Sequence, residues 1–384
     1  MRVLITSPVF PPDLGGPAVY VPSVGRFLTD RGHDVKVVAF CSDPDPQGHP
    51  FEVVAISRGR LAVRYIKAFF LVWKHARGRD VVYVQEHLAL LHVLAARLAG
   101  VRVVIRMMVD GAWEISHRKG WIDGDDIVTF ETKDYGLRVK LVRGLQKLWW
   151  GWCSNIIACS EFLRGIAVQR YGVPDQKAVR VLNAYHGPTE VKESREEARA
   201  ALELREDRRY ALTICRLMVW KGVDGIVRAL SALPEDVHLL VAGDGDMLET
   251  WRAEANDRGL GERVHWLGNV PHDRIPLLIR ASDLFVLNSE YEGLSHTLLE
   301  VCQIGTPIVC TGVCGNPEVV EDGVNGLLVP PKDDAALAAA MHKLLDDKDL
   351  GQQFVEESLR RMVSFQRDAN FAEVESVLAR VAAL

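Results

Sequence analysis

Leu284-Phe-Val-Leu-Asn-Ser-Glu-Tyr-Glu-Gly-Leu-Ser-His-Thr-Leu-Leu-Glu-Val-Cys-Gln303 changes hydrophobic rhythm twice. Leu284 to Leu287 form an unbroken apolar run after a turn-like Ala-Ser-Asp. Asn288 to Gly293 interrupt it with polar residues and a glycine, and Leu298, Leu299, Val301 and Cys302 resume it at helical spacing. The stretch predicts a strand, a loop and a helix.

Glu292 closes the loop, and Glu300 follows eight positions later on the helix. Between them Gly293-Leu294-Ser295 leads into the first helical turn, where backbone N–H groups lack intrahelical partners and the macrodipole favours an anion such as phosphate. Two carboxylates facing that anion would repel it, so they are better placed to accept hydrogen bonds from hydroxyl groups. A nucleotide sugar offers this combination: phosphates flanked by ribose hydroxyls on one side and sugar hydroxyls on the other. The plainer alternative is a pair of solvated surface glutamates, and spacing alone does not choose between them.

The flanking chain repeats the strand and helix alternation. Strands are expected at 210–214, 237–241, 263–266, 284–287, 307–310 and 327–329, separated by helices, which predicts a doubly wound parallel sheet. After the first of these comes Cys215-Arg216-Leu217-Met218-Val219-Trp220-Lys221-Gly222. Arg216 and Lys221 at the carboxyl edge of a sheet suit a diphosphate, the first as a forked donor and the second as a point charge; two solvated cations are the alternative. Gly243, in Val241-Ala242-Gly243-Asp244-Gly245-Asp246, marks a turn at the next strand end, and Asn269 and Val270 follow another strand with backbone groups for a base.

The first half has the same grammar. Arg2 to Thr6 reads as a strand, Gly15 and Gly16 as a glycine turn before a helix, and Val35 to Phe40, Val81 to Val84, Val101 to Ile105, Asn155 to Ala158 and Val179 to Leu182 as further strands, with Leu88 to Leu98 helical. The two glycines would let a ligand approach a helix N-terminus, or simply close a tight turn. No G-x-G-x-x-G follows the first strand, so this is not a dinucleotide fingerprint. Asp110 lies at the carboxyl end of a central strand, where open α/β sheets bind ligands, and is a candidate for an acceptor hydroxyl or for a helix cap. Gly111 to Asp134 reads as a long acceptor loop. Charge dominates from Glu190 to Arg209, which places a junction near Asn183 to Val191. The expected division is 1–185, a linker at 186–208, a second domain at 209–365, and a terminal helix at 366–384, centred on Asn370 to Val381.

Composition bounds the function. The chain has 384 residues, 48% hydrophobic and 25% charged, with a formal net charge of -5, giving no basic excess for nucleic acid. Met1-Arg2-Val3-Leu4-Ile5 leads into a turn without a signal-peptide core, and no run of uncharged apolar residues is long enough for a spanning helix. Seven cysteines do not make a disulfide framework, and Cys310 and Cys314 lack partners for a four-ligand metal site. A reducing cytoplasm is expected, with no metal or other cofactor. Two basic, aromatic stretches, Arg58 to Arg79 and Arg138 to Trp152, suit either contact with the inner face of an anionic membrane or ordinary domain helices.

Taken in order, these motifs resemble the retaining nucleotide-sugar glycosyltransferases of family four. The resemblance covers nearly the whole chain. It rests on Pro12-Asp13-Leu14-Gly15-Gly16 with Arg31-Gly32-His33-Asp34-Val35, Arg216 with Lys221-Gly222, and the E-x7-E pair Glu292 and Glu300. Gly305-Thr306-Pro307-Ile308-Val309 and Asp322-Gly323-Val324-Asn325-Gly326-Leu327-Leu328-Val329 complete it. The family implies a GT-B fold, two facing Rossmann-like domains with the active site in the cleft, and a last helix returning to the first domain. It implies that Arg216 and Lys221 hold the donor diphosphate, that Glu300 binds ribose, and that Glu292 with the amides of Gly293, Leu294 and Ser295 faces the donor sugar and phosphate. UDP is the nucleotide it favours over GDP, and retention of anomeric configuration is inferred from it alone.

One position departs from the pattern. Many members have a histidine where this chain has Met107-Met108-Val109-Asp110-Gly111. The stretch resembles a subgroup version, Gly-Asp-Tyr-Ala-Trp-Glu, through Asp110, Ala112, Trp113 and Glu114. Asp110 is therefore the catalytic candidate to take over the histidine's contact with the donor sugar, and Asp110, Trp113 and Glu114 are the acceptor-side candidates. The acceptor class is open among a sugar, a lipid-linked glycan and a small natural product. Rival readings are a nucleotide-sugar 2-epimerase on the same fold, a non-catalytic nucleotide-sugar-binding protein and, lacking its glycine fingerprint, a nicotinamide-dependent oxidoreductase.

Overall fold

A computed structural model describes residues 1–13, 15–57, 59–85, 89–185, 187 and 191–384. Leu14, Arg58 and Leu88 of the motifs above, and residues 186 and 188–190 of the expected junction, lie outside the described residues. The chain forms two units, Met1–Ala184 with Arg367–Leu384, and Tyr185–Gln366.

The first unit is built on seven strands: β1 (Arg2–Ser7), β2 (Asp34–Phe40), β3 (Glu52–Ile56), β4 (Val81–Val84), β5 (Arg102–Met107), β6 (Asn155–Ala158) and β7 (Ala178–Arg180). They lie in the order β3-β2-β1-β4-β5-β6-β7, and every pair is parallel. Parallel strands need covering on both faces, which is why Val81 to Val84 are all 0% exposed. Glu52–Ile56 was not among the expected strands. It is an edge strand of five residues whose middle is only half buried, so it lacks the continuous apolar run of an inner strand.

Gly111 to Asp134 is not a structureless loop. It holds the helices Gly111–Arg118 and Ile127–Thr132, each begun by an aspartate, with Asp110 Oδ1 accepting from Ala112 N and Asp126 Oδ1 from Thr129 N at 2.8 Å each.

The last helix, Arg367–Ala383, belongs to the first unit. Phe371, Val374, Val377, Leu378 and Val381 recur at helical spacing and are buried among Val3, Ile5, Tyr20, Val37 and Val104. Glu375, on its polar side, is 2.7 Å from both His33 Nε2 and Arg31 Nε.

The second unit has six strands: β8 (Arg209–Ile214), β9 (Val237–Ala242), β10 (Val264–Gly268), β11 (Leu284–Leu287), β12 (Ile308–Thr311) and β13 (Leu327–Val329). Their order, β10-β9-β8-β11-β12-β13, repeats the pattern of the first six strands of the other unit. In each sheet the chain steps outward for three strands and then returns beside the first, making a topological switch point at β1/β4 and at β8/β11, where open α/β sheets bind ligands. Residues 186–208, expected as a linker, carry the helix Arg195–Ala201. A reciprocal capping box between Ser194 and Glu197 starts it, and Arg199 Nη2 pairs with Asp283 Oδ2 at 2.6 Å, so the segment is part of the second unit.

Candidate active site

The loops after β8 and β11 leave neighbouring strands on either side of the switch point and are tied together. Asn288 Nδ2 donates to Gly222 O at 2.9 Å, and Glu290 N donates to Trp220 O at 2.7 Å. Lys221 Nζ donates to Glu292 Oε1 at 2.5 Å, and Ser289 Oγ donates to the same oxygen at 2.8 Å. Gly222 has φ +58, and a Cβ there would stand 2.4 Å from Asn288 O, so only glycine permits this approach.

Lys221 and Glu292 keep 18% and 12% side-chain exposure. Burial disfavours the ammonium, but the Glu292 carboxylate beside it outweighs that cost and holds Lys221 above the ordinary lysine value. Arg216, by contrast, is exposed and makes no ion pair among the described residues. The loop thus presents one neutralised cation and one free one.

Arg216 opens onto a cavity of about 770 Å³ at the carboxyl ends of β8, β9 and β10. Gly243, Asn269, Val270 and Thr297 line it as well. Gly243, at φ +134, runs so close to Cys215 O that a Cβ would stand 1.9 Å from it. Asp244 and Asp246, quoted above only as part of a glycine turn, also line the cavity; their carboxyl oxygens accept hydrogen bonds, which suits hydroxyls rather than phosphates.

Ser295 caps the helix His296–Ile304 by accepting from Leu298 N at 3.3 Å, and Gly305, at φ +93, ends it. Gly293, Leu294 and Ser295 are buried, so they would meet a ligand through backbone groups, while Thr297 in the first turn reaches the cavity. Glu300 lies one turn beyond Thr297 and is not among the cavity's lining residues. Burial pushes its carboxyl up, opposed by His272, whose Nε2 is 3.7 Å from Glu300 Oε1. Burial, and then the Glu300 carboxylate, push the Tyr185 hydroxyl up in turn. Neither His272 nor Tyr185 was marked in sequence, because each reaches Glu300 from a distant element.

The structure therefore groups Arg216, Gly243, Asn269 and Val270 around one cavity, and Lys221, Glu292 and Gly293 to Ser295 in the adjoining loops. Gly15, Gly16, Asp110, Trp113 and Glu114 belong to the first unit. Gly15 precedes the helix Gly16–Asp30 without a side-chain cap. Glu114, 21% exposed, stands 3.6 Å from Arg118 Nη1.

Asp110 does not present a free carboxylate to an acceptor. It is 0% exposed, and its Oδ1 accepts from Ala112 N, Trp113 N, Gln146 Nε2 and Tyr171 OH at 2.8–3.2 Å. Capping is the role its geometry supports. Trp113 is also buried, at 1% exposure, with Nε1 donating to Asp125 O at 3.2 Å, so it is a core side chain rather than an acceptor platform.

Beside Asp110, burial and then the Asp110 carboxylate push the Glu131 carboxyl up to about 8 from 4.5. Unfolding then releases a proton between those values, so this contribution to stability is full below about 4.5 and is lost as pH rises through about 8. Glu131→Gln is expected to be near neutral at pH 5 and to raise the melting temperature at pH 9. A parent-to-variant gap that stays constant from pH 5 to 9 would contradict this assignment.

Among the described residues no group of three or more His, Cys, Asp or Glu stands together as a metal-ligand set.

Two protein-family models match the chain. Residues 14–186 match the model described as Glycosyltransferase Family 4, and residues 194–361 match Glycosyl transferases group 1. The chain belongs to the family-four glycosyltransferases, and its two units have the parallel-sheet architecture of GT-B enzymes. It is 35% identical over 181 residues to the alpha-D-kanosaminyltransferase of Streptomyces kanamyceticus, covering 45% of this chain and 47% of that one. It is 29% identical over 381 residues to a GDP-mannose-dependent alpha-(1-6)-phosphatidylinositol monomannoside mannosyltransferase of Mycobacterium tuberculosis, covering 91% of this chain and 90% of that one. The structure of Anabaena Alr3699/HepE in complex with UDP-glucose has the same fold, with a TM-score of 0.79 and 19% identity, covering 99% of this chain and 100% of that one. The chain is therefore a glycosyltransferase.

Proposed function

We propose that this enzyme moves a sugar from UDP to an acceptor hydroxyl with retention of anomeric configuration and without metal. The observation that carries the proposal is the exposed Arg216 on a 770 Å³ cavity, backed by Lys221 and the N-terminus of the helix His296–Ile304. When the bond from the anomeric carbon to the β-phosphate oxygen breaks, negative charge grows on that phosphate. In this reading Arg216, Lys221 and the helix N–H groups stabilise that charge. Glu292 keeps Lys221 cationic before the donor arrives. The acceptor oxygen forms its bond on the face the phosphate leaves, and its proton passes to a phosphate oxygen, so no protein nucleophile is required. A cytoplasmic setting is proposed on the seven cysteines, none of them in a disulfide and five of them buried.

UDP is the nucleotide implied by the family resemblance, and GDP is the second reading because the mannosyltransferase relative is GDP-mannose-dependent. A thermal-shift panel of UDP, GDP, ADP, TDP and their sugar conjugates separates them. A ligand at a hundred times its Kd is expected to stabilise by about 2.7 kcal/mol. The shift is expected with one nucleotide and is expected to vanish in Glu300→Ala. A parent that responds to none of them would return the E-x7-E pair to a structural role. Product analysis without acceptor distinguishes slow hydrolysis, expected here, from an accumulating 2-epimer or from no turnover.

A further inference from the structure

The helix Leu61–Ala76 wears its large apolar residues on the outside. It packs on the helix Leu90–Leu98 and on β1 to β3 through Ala68, Val72 and Ala76, all 0% exposed and spaced by four. The opposite face carries Val63, Ile66 and Phe70, which are 61%, 55% and 57% exposed, with half-buried Trp73 in line. An ordinary surface helix has the reverse arrangement.

Cations border this stripe. Arg60, Lys67, Lys74 and Arg77 are exposed and make no ion pair among the described residues. The Arg77 guanidinium stacks 3.5 Å from the centre of the Trp73 ring. Between Ile56 and Asp80 the chain has no acidic residue.

A second helix repeats the pattern. In Leu137–Trp152, which also packs on Leu90–Leu98, Leu137, Leu141 and Leu148 are 81%, 61% and 46% exposed, with Arg138 and Lys147 exposed beside them. Both helices pack on the same helix, Leu90–Leu98, of the first unit.

We propose that this face docks on an anionic lipid bilayer, with Val63, Ile66 and Phe70 entering the interface and Lys67, Lys74 and Arg77 meeting lipid phosphates. Apolar side chains with a lysine and arginine border are the pattern of helices lying in a membrane surface, where long cationic side chains cover apolar area while their charged ends reach the headgroups. A second copy of the chain is disfavoured as occupant, because pairing through this face would set one cationic border against the other. The proposal goes beyond the transfer reaction and does not depend on it.

The test uses the full chain, sedimented with vesicles of phosphatidylcholine alone or mixed with phosphatidylglycerol, at low and high salt. Tighter binding to the anionic vesicles by at least about tenfold, weakened by salt, is expected. The double variants Ile66→Asp with Phe70→Asp and Lys67→Glu with Lys74→Glu are each expected to lose about tenfold of that binding. These positions are exposed, so melting temperatures and nucleotide-induced shifts should stay at the parental values. Absence of vesicle binding, or binding that both variants retain, would overturn the proposal. So would variants that change the oligomeric state and leave lipid binding alone, since the face would then join copies of the chain.

Discussion

Arg216→Ala is expected to slow transfer at saturating donor by about 10²–10³-fold, the usual cost of removing one preorganised donor from developing charge. Its melting temperature is expected to stay within about 2 °C of the parent, because an exposed side chain without an ion pair contributes little to stability. Lys221→Ala offers the contrast. It removes a cation from the same loop but also strands Glu292, whose side chain is 12% exposed, so a comparable loss of rate should come with about 3–5 kcal/mol of destabilisation. Measuring rate and melting together on both variants separates the roles. A parental rate for Arg216→Ala would remove this residue from leaving-group stabilisation, whatever Lys221 does.

A chain ending at Gln366 is expected to lose the fold of the first unit and keep that of the second. Phe371, Val374, Val377, Leu378 and Val381 are between 0% and 4% exposed, and all five would be missing. At about 1.5–3 kcal/mol per buried side chain, the loss is on the order of 8–15 kcal/mol, as large as the whole stability of a typical domain. Val3, Ile5, Val37 and Val104, which these residues cover, would be left open to water. Amide hydrogen exchange gives the readout: protection should disappear from β1, β2, β4 and β5 and persist in β8, β9 and β11. Protection retained in β1 and β4 would show that the terminal helix is an attachment rather than part of the core.

What could be read from the sequence was what is local and periodic. Leu284 to Leu287 announce a strand buried on both faces, and the glycines at 293 and 305 bracket the helix that follows. Glu52–Ile56 gave a weak signal because an edge strand needs only a partial apolar pattern. The helices after Asp110 and Asp126 are short, so charged and aromatic residues between them masked their periodicity; their aspartate caps were the available clue.

Pairings across the sheet were harder. Lys221 and Glu292 meet although 71 positions separate them, because β8 and β11 are neighbours, and strand order is not written in either segment. Asp110 shows the same limit from the other side. Its position after a central strand suits a ligand or a cap equally, and the partners that fill its oxygens, Gln146 and Tyr171, come from elements 36 and 61 positions away.

The return of the last helix to the first unit also bears on how the chain is made. A ribosome completes β1 to β7 early, then synthesises all of Tyr185–Gln366 before the residues that close the first core emerge. At roughly 5–20 residues per second that interval is on the order of 10–40 s. During it the nascent first unit is an open sheet with one face awaiting its cover, while the second unit, continuous in sequence, can fold as soon as it leaves the exit tunnel. The half that is born first is finished last, and it is the half for which chaperones have a waiting surface to hold.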